Sequence, residues 1–371
     1  MFTEESKTAG RIVCISCGGD LKYAPGTQHL KCSYCGTENV ISEANDEFEA
    51  MEHDFDEALR NMADAVEQEE QHAVKCSSCG ATSTLAPNVT SSNCPFCDTA
   101  LVVAKEATTK YIKPHCVLPF RVDRKTAHEK FGKWLNALWF APNDLKRLKG
   151  YEDKLKGIYL PNWTFDTKVF TTYRGERGDA YYETQTYTTV ENGKSVTKTR
   201  QVRRIRWSFA IGTVENEFDD IITPASQSVP LDKMLSIEPW DLKALQPYDE
   251  RYLAGYQTEV YTTDLKNGFE LAKEIIDQKI VNTIRADIGG DEQRIHERDS
   301  TFTDVSFKHI LLPIYISAYQ YKGKVYRFVV NGQTGKIVGE RPYSVWKILF
   351  AVLGALAIIG ILMLVFGGAK N

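Results

Sequence analysis

The sequence predicts a multidomain protein: two tandem four-cysteine modules joined by an acidic helix, then an α+β body rich in antiparallel sheet, then one C-terminal transmembrane helix. Three observations predict this architecture. Eight of the nine cysteines fall into four CxxC pairs near the start of the 371-residue chain. Thr, Tyr and Val are dense in the middle third, which favours β structure. Ile348 to Phe366 is a run of nineteen residues without a charge.

The composition is that of a folded protein without a strong overall charge. Charged residues make up 25% and hydrophobic residues 43% of the chain. The formal net charge of −4 offers no global positive field that would attract nucleic acid. The first residues, MFTEESKTAGR, lack an apolar stretch, so we expect no secretory signal peptide.

The cysteine spacing predicts two structural Zn²⁺ ions. The eight predicted ligands are Cys14, Cys17, Cys32, Cys35, Cys76, Cys79, Cys94 and Cys97. Fourteen residues separate the opening and closing pairs in both copies, one fewer than is usual for such sites. Two facing CxxC turns bring four thiolates together as a closed tetrahedron. We therefore predict zinc ribbon 1 over 10–41 and zinc ribbon 2 over 74–104, related by internal duplication.

Disulfides and a redox CxxC motif are the alternatives to zinc. Disulfides need an oxidising compartment, which the chain has no signal to reach, and redox CxxC pairs normally accompany a βαβ pattern that is absent here. The ninth cysteine, Cys116, lies between Pro114 and Pro119 and is predicted to be a small buried thiol.

An acidic segment separates the ribbons. From Glu43 to Gln71 there are twelve acidic residues and one Arg. Apolar residues recur every three or four positions, which predicts an amphipathic helical linker over 42–73; they are Phe48, Met51, Phe55, Leu59, Met62 and Val66. Either the helix is a solvated spacer, or its apolar stripe docks on a partner helix or on the body of the protein.

The body shows a second repeat. A helix opening at Asp123 precedes Leu-Pro-Asn-Trp at 160–163, and a helix opening at Thr263 precedes Leu-Pro-Ile-Tyr at 312–315. This recurrence of a helix followed by an LPx-aromatic strand predicts two α+β subdomains, 105–250 and 251–342.

A long hairpin is predicted to protrude over 179–212. Asn192-Gly193 is a strong two-residue turn signal, and this turn places Glu191 opposite Lys194 and Asp179 opposite Arg206. The returning strand is basic. It is either an edge strand guarded by charge, or a surface for anionic lipid or a protein partner, with nucleic acid third.

Motifs for catalysis are missing from the sequence. There is no Walker A sequence, GxGxxG or HExxH, and the seven histidines show no spacing typical of a catalytic triad. We therefore expect neither an enzyme nor a small-molecule substrate.

The predicted transmembrane helix spans 346–366. Nineteen uncharged residues at 1.5 Å each cross a hydrocarbon core of about 30 Å. Tyr343 and Trp346 mark an interfacial belt, and basic residues are more numerous before the helix than after it. The positive-inside rule then predicts a single-pass protein of the cell membrane, in contact with the lipid bilayer, with its N-terminal body in the cytoplasm.

Several segments together resemble a known family. CISCGG at 14–19, CSSCGA at 76–81, YLPNWTFD at 159–166 and NGQTGKIVGERPYSVWKI at 331–348 are similar to bacterial membrane-anchored proteins with TFIIB-type zinc ribbons. Such proteins are often labelled primosomal protein N′-like or helicase-like, but this chain lacks every ATPase motif. The resemblance implies protein partners such as a phage-shock-protein A homologue or a flotillin-like SPFH protein, and a role in the envelope-stress response.

Two functional hypotheses follow. The first is a cytoplasm-facing, membrane-anchored zinc-ribbon adaptor or scaffold that binds protein partners. The second is a membrane-tethered nucleic-acid-binding protein related to replication or transcription. Charge favours the first: between the outer cysteines, ribbon 1 has Lys22 and Lys31 as its basic residues and ribbon 2 has none.

Overall fold

The secondary structure comes from a computed structural model, which describes residues 7–8, 11–41, 50–61, 68–76, 81–84, 91–94, 96, 100–102, 107–142, 155–191, 193–321 and 324–367. The helices are α1 (Phe55–Asn61), α2 (Arg124–Ala137), α3 (Leu231–Ser236), α4 (Leu265–Ile288) and α5 (Val345–Gly367). The strands of the N-terminal third are β1 (Lys7–Thr8), β2 (Arg11–Ile12), β3 (Leu21–Tyr23), β4 (His29–Cys32), β5 (Glu38–Val40), β6 (His53–Asp54), β7 (Gln68–Lys75), β8 (Thr82–Thr84), β9 (Ser91–Asn93), β10 (Ala100–Val102), β11 (Ala107–Ile112) and β12 (Cys116–Val117). Those of the body are β13 (Lys156–Glu191), β14 (Lys194–Pro224), β15 (Gln246–Pro247), β16 (Gln257–Thr258), β17 (Glu292–Tyr321), β18 (Lys324–Asn331) and β19 (Ile337–Gly339).

One nine-stranded sheet forms the body. Its main path runs β14–β13–β17–β12–β15, and β18 pairs with the C-terminal part of β17. Strands from both predicted subdomains, 105–250 and 251–342, therefore share one sheet. The physical reason is that β13 satisfies its main-chain hydrogen bonds with β17, far along the chain, as well as with its hairpin neighbour β14. Cys116 is buried in β12, as predicted.

The two LPx-aromatic segments meet at their leucines and run in opposite directions from that point. In the antiparallel β13–β17 pair, Leu160 faces Leu312. Each segment has a preceding helix with the same start: the Asp123 side chain caps α2 and the Asp264 side chain caps α4. The predicted repeat therefore corresponds to two halves arranged about an approximate two-fold axis.

Hydrogen bonds cross between the halves in matching pairs. The Trp163 indole donates to the carbonyl of Thr263 at 3.0 Å, and the Tyr315 hydroxyl donates to the carbonyl of Val122 at 2.8 Å. Each acceptor immediately precedes a helix N-cap. The aromatic residue of each half thus fixes the helix of the other half.

The apolar packing is also reciprocal. The ring of Phe131 on α2 stacks on that of Phe328 on β18, with centroids 3.8 Å apart. Helix α4 packs mainly on β14 and β13, and its Gly268 lies against the Trp163 ring. Each helix is therefore covered in part by the other half.

The predicted hairpin is confirmed in both register and exposure. Glu191 pairs with Lys194, and Asp179 pairs with Arg206. The pairing with β17 ends at Gly178, and none of the described side chains from 181 to 206 is buried. Beyond Gly178 the hairpin projects by roughly 40 Å at the usual rise per strand residue.

The acidic linker differs from the prediction. Helix α1 covers only Phe55–Asn61, while residues 53–54 and 68–75 are strands, so a continuous helix over 42–73 is wrong. Strand β7 forms because it pairs with β11 and β8. Phe55 is buried 4.7 Å from Phe269, so this part of the stripe docks on the body. Phe48, Met62 and Val66 lie outside the described residues.

Helix α5 is long and apolar enough to cross a membrane. Its Val345–Leu362 window has a mean hydropathy of 2.5, and none of the window is buried in protein. The Lys347 ammonium donates to the carbonyls of Trp139 and Ala141 at 3.2 and 2.8 Å. These bonds fix the start of the helix to the segment that follows α2.

Candidate metal centre

Four predicted ligands come together in the first module. Atoms Sγ of Cys14, Cys17, Cys32 and Cys35 all lie within 4.8 Å of one another. The Cys14–Cys35 and Cys17–Cys32 sulphur pairs are 3.6 and 3.5 Å apart. A tetrahedron with metal–sulphur bonds of about 2.3 Å has sulphur–sulphur edges of roughly 3.8 Å, whereas a disulfide needs about 2.05 Å. The cluster could hold a metal ion and does not contain disulfides.

The main chain shapes each CxxC turn in the same way. The Cys14 amide donates to the carbonyl of Gly19 at 2.8 Å, and the Cys32 amide donates to the carbonyl of Thr37 at 3.0 Å. Gly18 and Gly36 follow the second cysteine of each pair and have φ of +70° and +76°. Glycine adopts this left-handed conformation without a steric penalty, which lets the chain fold back beside the sulphur atoms.

Hydrogen bonds favour thiolate character at two of the sulphurs. The side chain and amide of Thr37 lower the pKa of Cys35 to about 6. The Ser16 amide is the main cause that lowers the pKa of Cys14. The Gly19 amide lowers the pKa of Cys17, but the neighbouring Cys35 and Cys32 thiols outweigh it and raise that pKa to about 12. A cation at the centre would replace these shared protons.

The first module is docked on the body. Leu21, Tyr23, Leu30 and Ile41 are buried in a common core with aromatic residues of the body. Main-chain bonds join the two: the Tyr23 amide donates to the carbonyl of Ala254 at 2.9 Å. The metal-binding loops point outward, since Cys17 and Cys35 are exposed. The body therefore sets the orientation of the cluster.

The described part of the second module repeats this pattern. The Cys76 amide donates to the carbonyl of Ala81 at 2.8 Å, the same bond that Cys14 makes in the first module. Strands β9 and β10 follow Cys76 at the intervals at which β4 and β5 follow Cys14. Cys76 and Cys94 are buried. Cys79 and Cys97 lie outside the described residues, so the second cluster stays a prediction.

Sequence reasoning missed a half-buried cluster of three carboxylates around the buried Lys308. Carboxylate oxygens of Glu52, Asp166 and Asp220 lie within 4.8 Å of one another. The Lys308 ammonium contacts Glu52 and lies 2.9 Å from Asp220. Burial lowers the pKa of Lys308, but the two carboxylates outweigh it and raise that pKa. The ammonium thus supplies the positive charge that this cluster needs.

Three histidines that are scattered in sequence also meet. The rings of His53 and His115 are 4.0 Å apart, and the His309 amide donates to Nδ1 of His115 at 3.2 Å. The His309 ring is tilted against that of Trp163, with centroids 4.6 Å apart. Burial lowers the pKa of His115 to about 3 and that of His309 to about 4. All three residues sit on separate segments, so no spacing rule could have found them.

Comparison with known proteins reveals a similar chain of similar length. No protein-family model matches the chain, and no solved structure is similar to it. The chain is 26% identical over 339 residues to the uncharacterized protein YdjG of Bacillus subtilis (strain 168), covering 90% of this chain and 91% of the relative. The aligned length is far greater than the cysteine-rich segments, so the similarity extends into the body.

Proposed function

We propose that the protein is a membrane-anchored zinc-ribbon adaptor that presents a rigid surface to protein partners at the cytoplasmic face of the cell membrane. The observation that carries this proposal is the four-sulphur cluster, fixed by a folded body that continues into an apolar, unburied helix. A site with four sulphur ligands leaves no open coordination position for a substrate or water. A structural, rather than hydrolytic, role for the metal follows.

Zinc is the metal that fits these ligands best. Four thiolates at tetrahedral distances select Zn²⁺ or an iron–sulphur centre, and short CxxC turns paired in this way are the usual zinc-ribbon arrangement. The repeated turn at Cys76 supports a second Zn²⁺ in the other module. We therefore propose two zinc ions per chain.

The exposed loops of the first module form the proposed partner surface. Ile15 and Tyr34 lie within its two CxxC turns and are 72% and 77% exposed. A cleft of about 680 Å³ lies beside Tyr34, with Lys22 and Lys31 on its wall. Exposed aromatic and aliphatic side chains on a metal-stiffened loop can bury apolar area at little entropic cost.

Two arginines of the projecting hairpin are paired with carboxylates, which favours this proposal over nucleic-acid binding. Arg203 is 2.7 Å from Glu292, and Arg204 is 3.2 Å from Glu183. A carboxylate beside each guanidinium reduces the positive potential that a phosphate backbone would need.

Metal content of the purified full-length protein tests the zinc sites. Native protein should contain about two zinc ions per chain, and Cys35→Ser and Cys76→Ser should each lose about one, because three thiolates hold the ion far less tightly. Cys116→Ser is the matched control, since this buried thiol lies outside both modules and the variant should keep both ions. Native protein with fewer than about one zinc would refute the proposal.

Binding to purified candidate partners tests the adaptor role. The phage-shock-protein A homologue and the flotillin-like SPFH protein of the same cell would each be titrated against full-length protein in nanodiscs. Ile15→Ser/Tyr34→Ser should weaken binding by about tenfold or more if these side chains are central to the interface. Val190→Ser, at a similarly exposed position on the hairpin, should not. Tight nucleic-acid binding that depends on the zinc would instead support the alternative function.

A further inference from the structure

Strand β14 has an open edge with an uncharged centre. Within the described part of the chain, β13 is the strand that pairs with β14, and β14 ends the sheet. Residues 207–213 read WSFAIGT, without a charge, and Phe209 and Ile211 are 70% and 65% exposed. Soluble proteins normally protect such an edge with charge or cover it. Among the described residues, the centre of β14 is therefore a candidate surface for addition of another strand.

The odd-numbered residues of β14 are those that a new strand would meet. Glu191 and Lys194 flank a two-residue turn and form a hydrogen-bonded pair. By alternation, the N–H and C=O groups of odd-numbered β14 residues point away from β13. Their side chains lie on the face opposite α4, because α4 contacts even-numbered residues: the Thr283 hydroxyl is 2.7 Å from Oδ1 of Asn216.

The order of these side chains is self-complementary. From 203 to 215 the odd positions read Arg, Ile, Trp, Phe, Ile, Thr, Glu. We propose that β14 pairs antiparallel with β14 of a second copy of this chain, with Phe209 on the two-fold axis. In that register Phe209 faces Phe209, Trp207 faces Ile211 twice, and Arg203 faces Glu215 twice.

Charge along the strand supports the antiparallel direction. Residues 194–206 contain six basic residues and no acidic one, whereas residues 214–220 contain four acidic residues and no basic one. A parallel partner would place like charges together, while an antiparallel partner places each basic half beside an acidic half. Pairing from 203 to 215 also forms roughly fourteen main-chain hydrogen bonds.

The face of the sheet that α4 covers has room for this interface. The even-numbered residues nearest the axis are Ser208, Ala210 and Gly212, which are all small. Their size leaves room for the α4 helices of two copies to run side by side over the joined sheet. Anchoring in one membrane would raise the effective concentration of the two copies for each other.

Charge reversal in mixed populations tests the proposal. Full-length copies with donor and acceptor fluorophores would be reconstituted in vesicles, and energy transfer would report association. Arg203→Glu alone puts Glu against Glu215, and Glu215→Arg alone puts Arg against Arg203, so each variant should self-associate at least roughly tenfold more weakly. A mixture of the two variants pairs opposite charges at every position and should recover association to within about threefold of native.

The mixture distinguishes a loss of pairing between copies from a disruption of the fold within each copy. Arg203 also contacts Glu292 within its own chain, but both variants keep their changed residue in the mixture, so only pairing can restore the signal. Phe209→Asp should abolish association, and Val190→Asp, at a similarly exposed site away from the axis, should not. Native protein that stays monomeric, or a mixture that fails to associate, would overturn the proposal; so would cross-linking of β14 to a different protein in native membranes.

Discussion

His309→Asn should reduce the acid sensitivity of the folded state. Nδ1 of His309 is 2.9 Å from the carbonyl oxygen of Ile112, and because a carbonyl only accepts, Nδ1 carries the proton. Nε2 is buried without a hydrogen-bond partner among the described residues. Protonating Nε2 would therefore create a buried, unsolvated charge. Asparagine can donate to the Ile112 carbonyl in place of Nδ1 but does not titrate.

The size and sign of the effect follow from the two pKa values. Burial lowers the pKa of His309 from 6.5 to about 4 in the folded state. The unfolded chain therefore binds the proton first, and stability is lost as the pH falls through 6.5 towards 4. Between pH 7.5 and 5.5 this costs about 1.3 kcal/mol. Glu259 has the opposite effect on stability: burial raises its pKa to about 7, so protonation of Glu259 favours the folded state as the pH falls. The contribution of His309 is therefore obtained by subtracting the pH response of the variant from that of the native protein.

Thermal unfolding at the two pH values measures that difference. Detergent-solubilised full-length protein would be followed by tryptophan fluorescence at pH 7.5 and 5.5. Acidification should lower the Tm of the native protein by roughly 3–5 °C more than that of His309→Asn. An identical response of His309→Asn and native protein would refute the argument.

Three further changes test the packing, the charge cluster and the anchor. Gly268→Ala places a methyl group 2.5 Å from the Trp163 ring and should lower the free energy of unfolding by about 1–3 kcal/mol; Gly132→Ala, with no atom within 4 Å, should raise it by up to about 1 kcal/mol. Lys308→Met leaves Glu52 and Asp220 without their cation and should lower the free energy of unfolding, measured by chemical denaturation, by about 1–2 kcal/mol, less than for a fully buried pair because both carboxylates are partly exposed. Leu356→Arg should hinder insertion by about 2.5–3.5 kcal/mol, measured as protein released by alkaline extraction. A stable Gly268→Ala, an unaffected Lys308→Met or a fully inserted Leu356→Arg would each contradict the corresponding reasoning.

Features encoded by short spacing could be predicted from the sequence. The CxxC turns of the first module, the register of the 191–194 turn and the N-cap at Asp123 each depend on residues within a few positions of one another. In all three, the geometry of the local chain is enough to determine the structure.

Features that depend on distant partners could not be predicted. Residues 68–75 carry an acidic, weakly apolar sequence, yet they form β7 because β11 and β8 offer main-chain partners. The charge cluster joins Glu52 to Lys308 across most of the chain. The one-sheet body was missed because each repeat looks complete in sequence, whereas its helix packs on the other repeat. Helical periodicity identifies an apolar face but not the surface that covers it.

The reciprocal packing of α2 and α4 constrains the order of events during synthesis. Phe131 on α2 cannot form its closest ring contact, 3.8 Å from Phe328, until Phe328 has been made, so this part of the α2 face stays uncovered while the first repeat leaves the ribosome. Pairing between segments so far apart is intrinsically slow, and exposed strands are prone to aggregate meanwhile. Synthesis of β19 ends at Gly339, and α5 begins at Val345. We therefore expect closure of the body and delivery of α5 to the membrane to follow each other closely during synthesis.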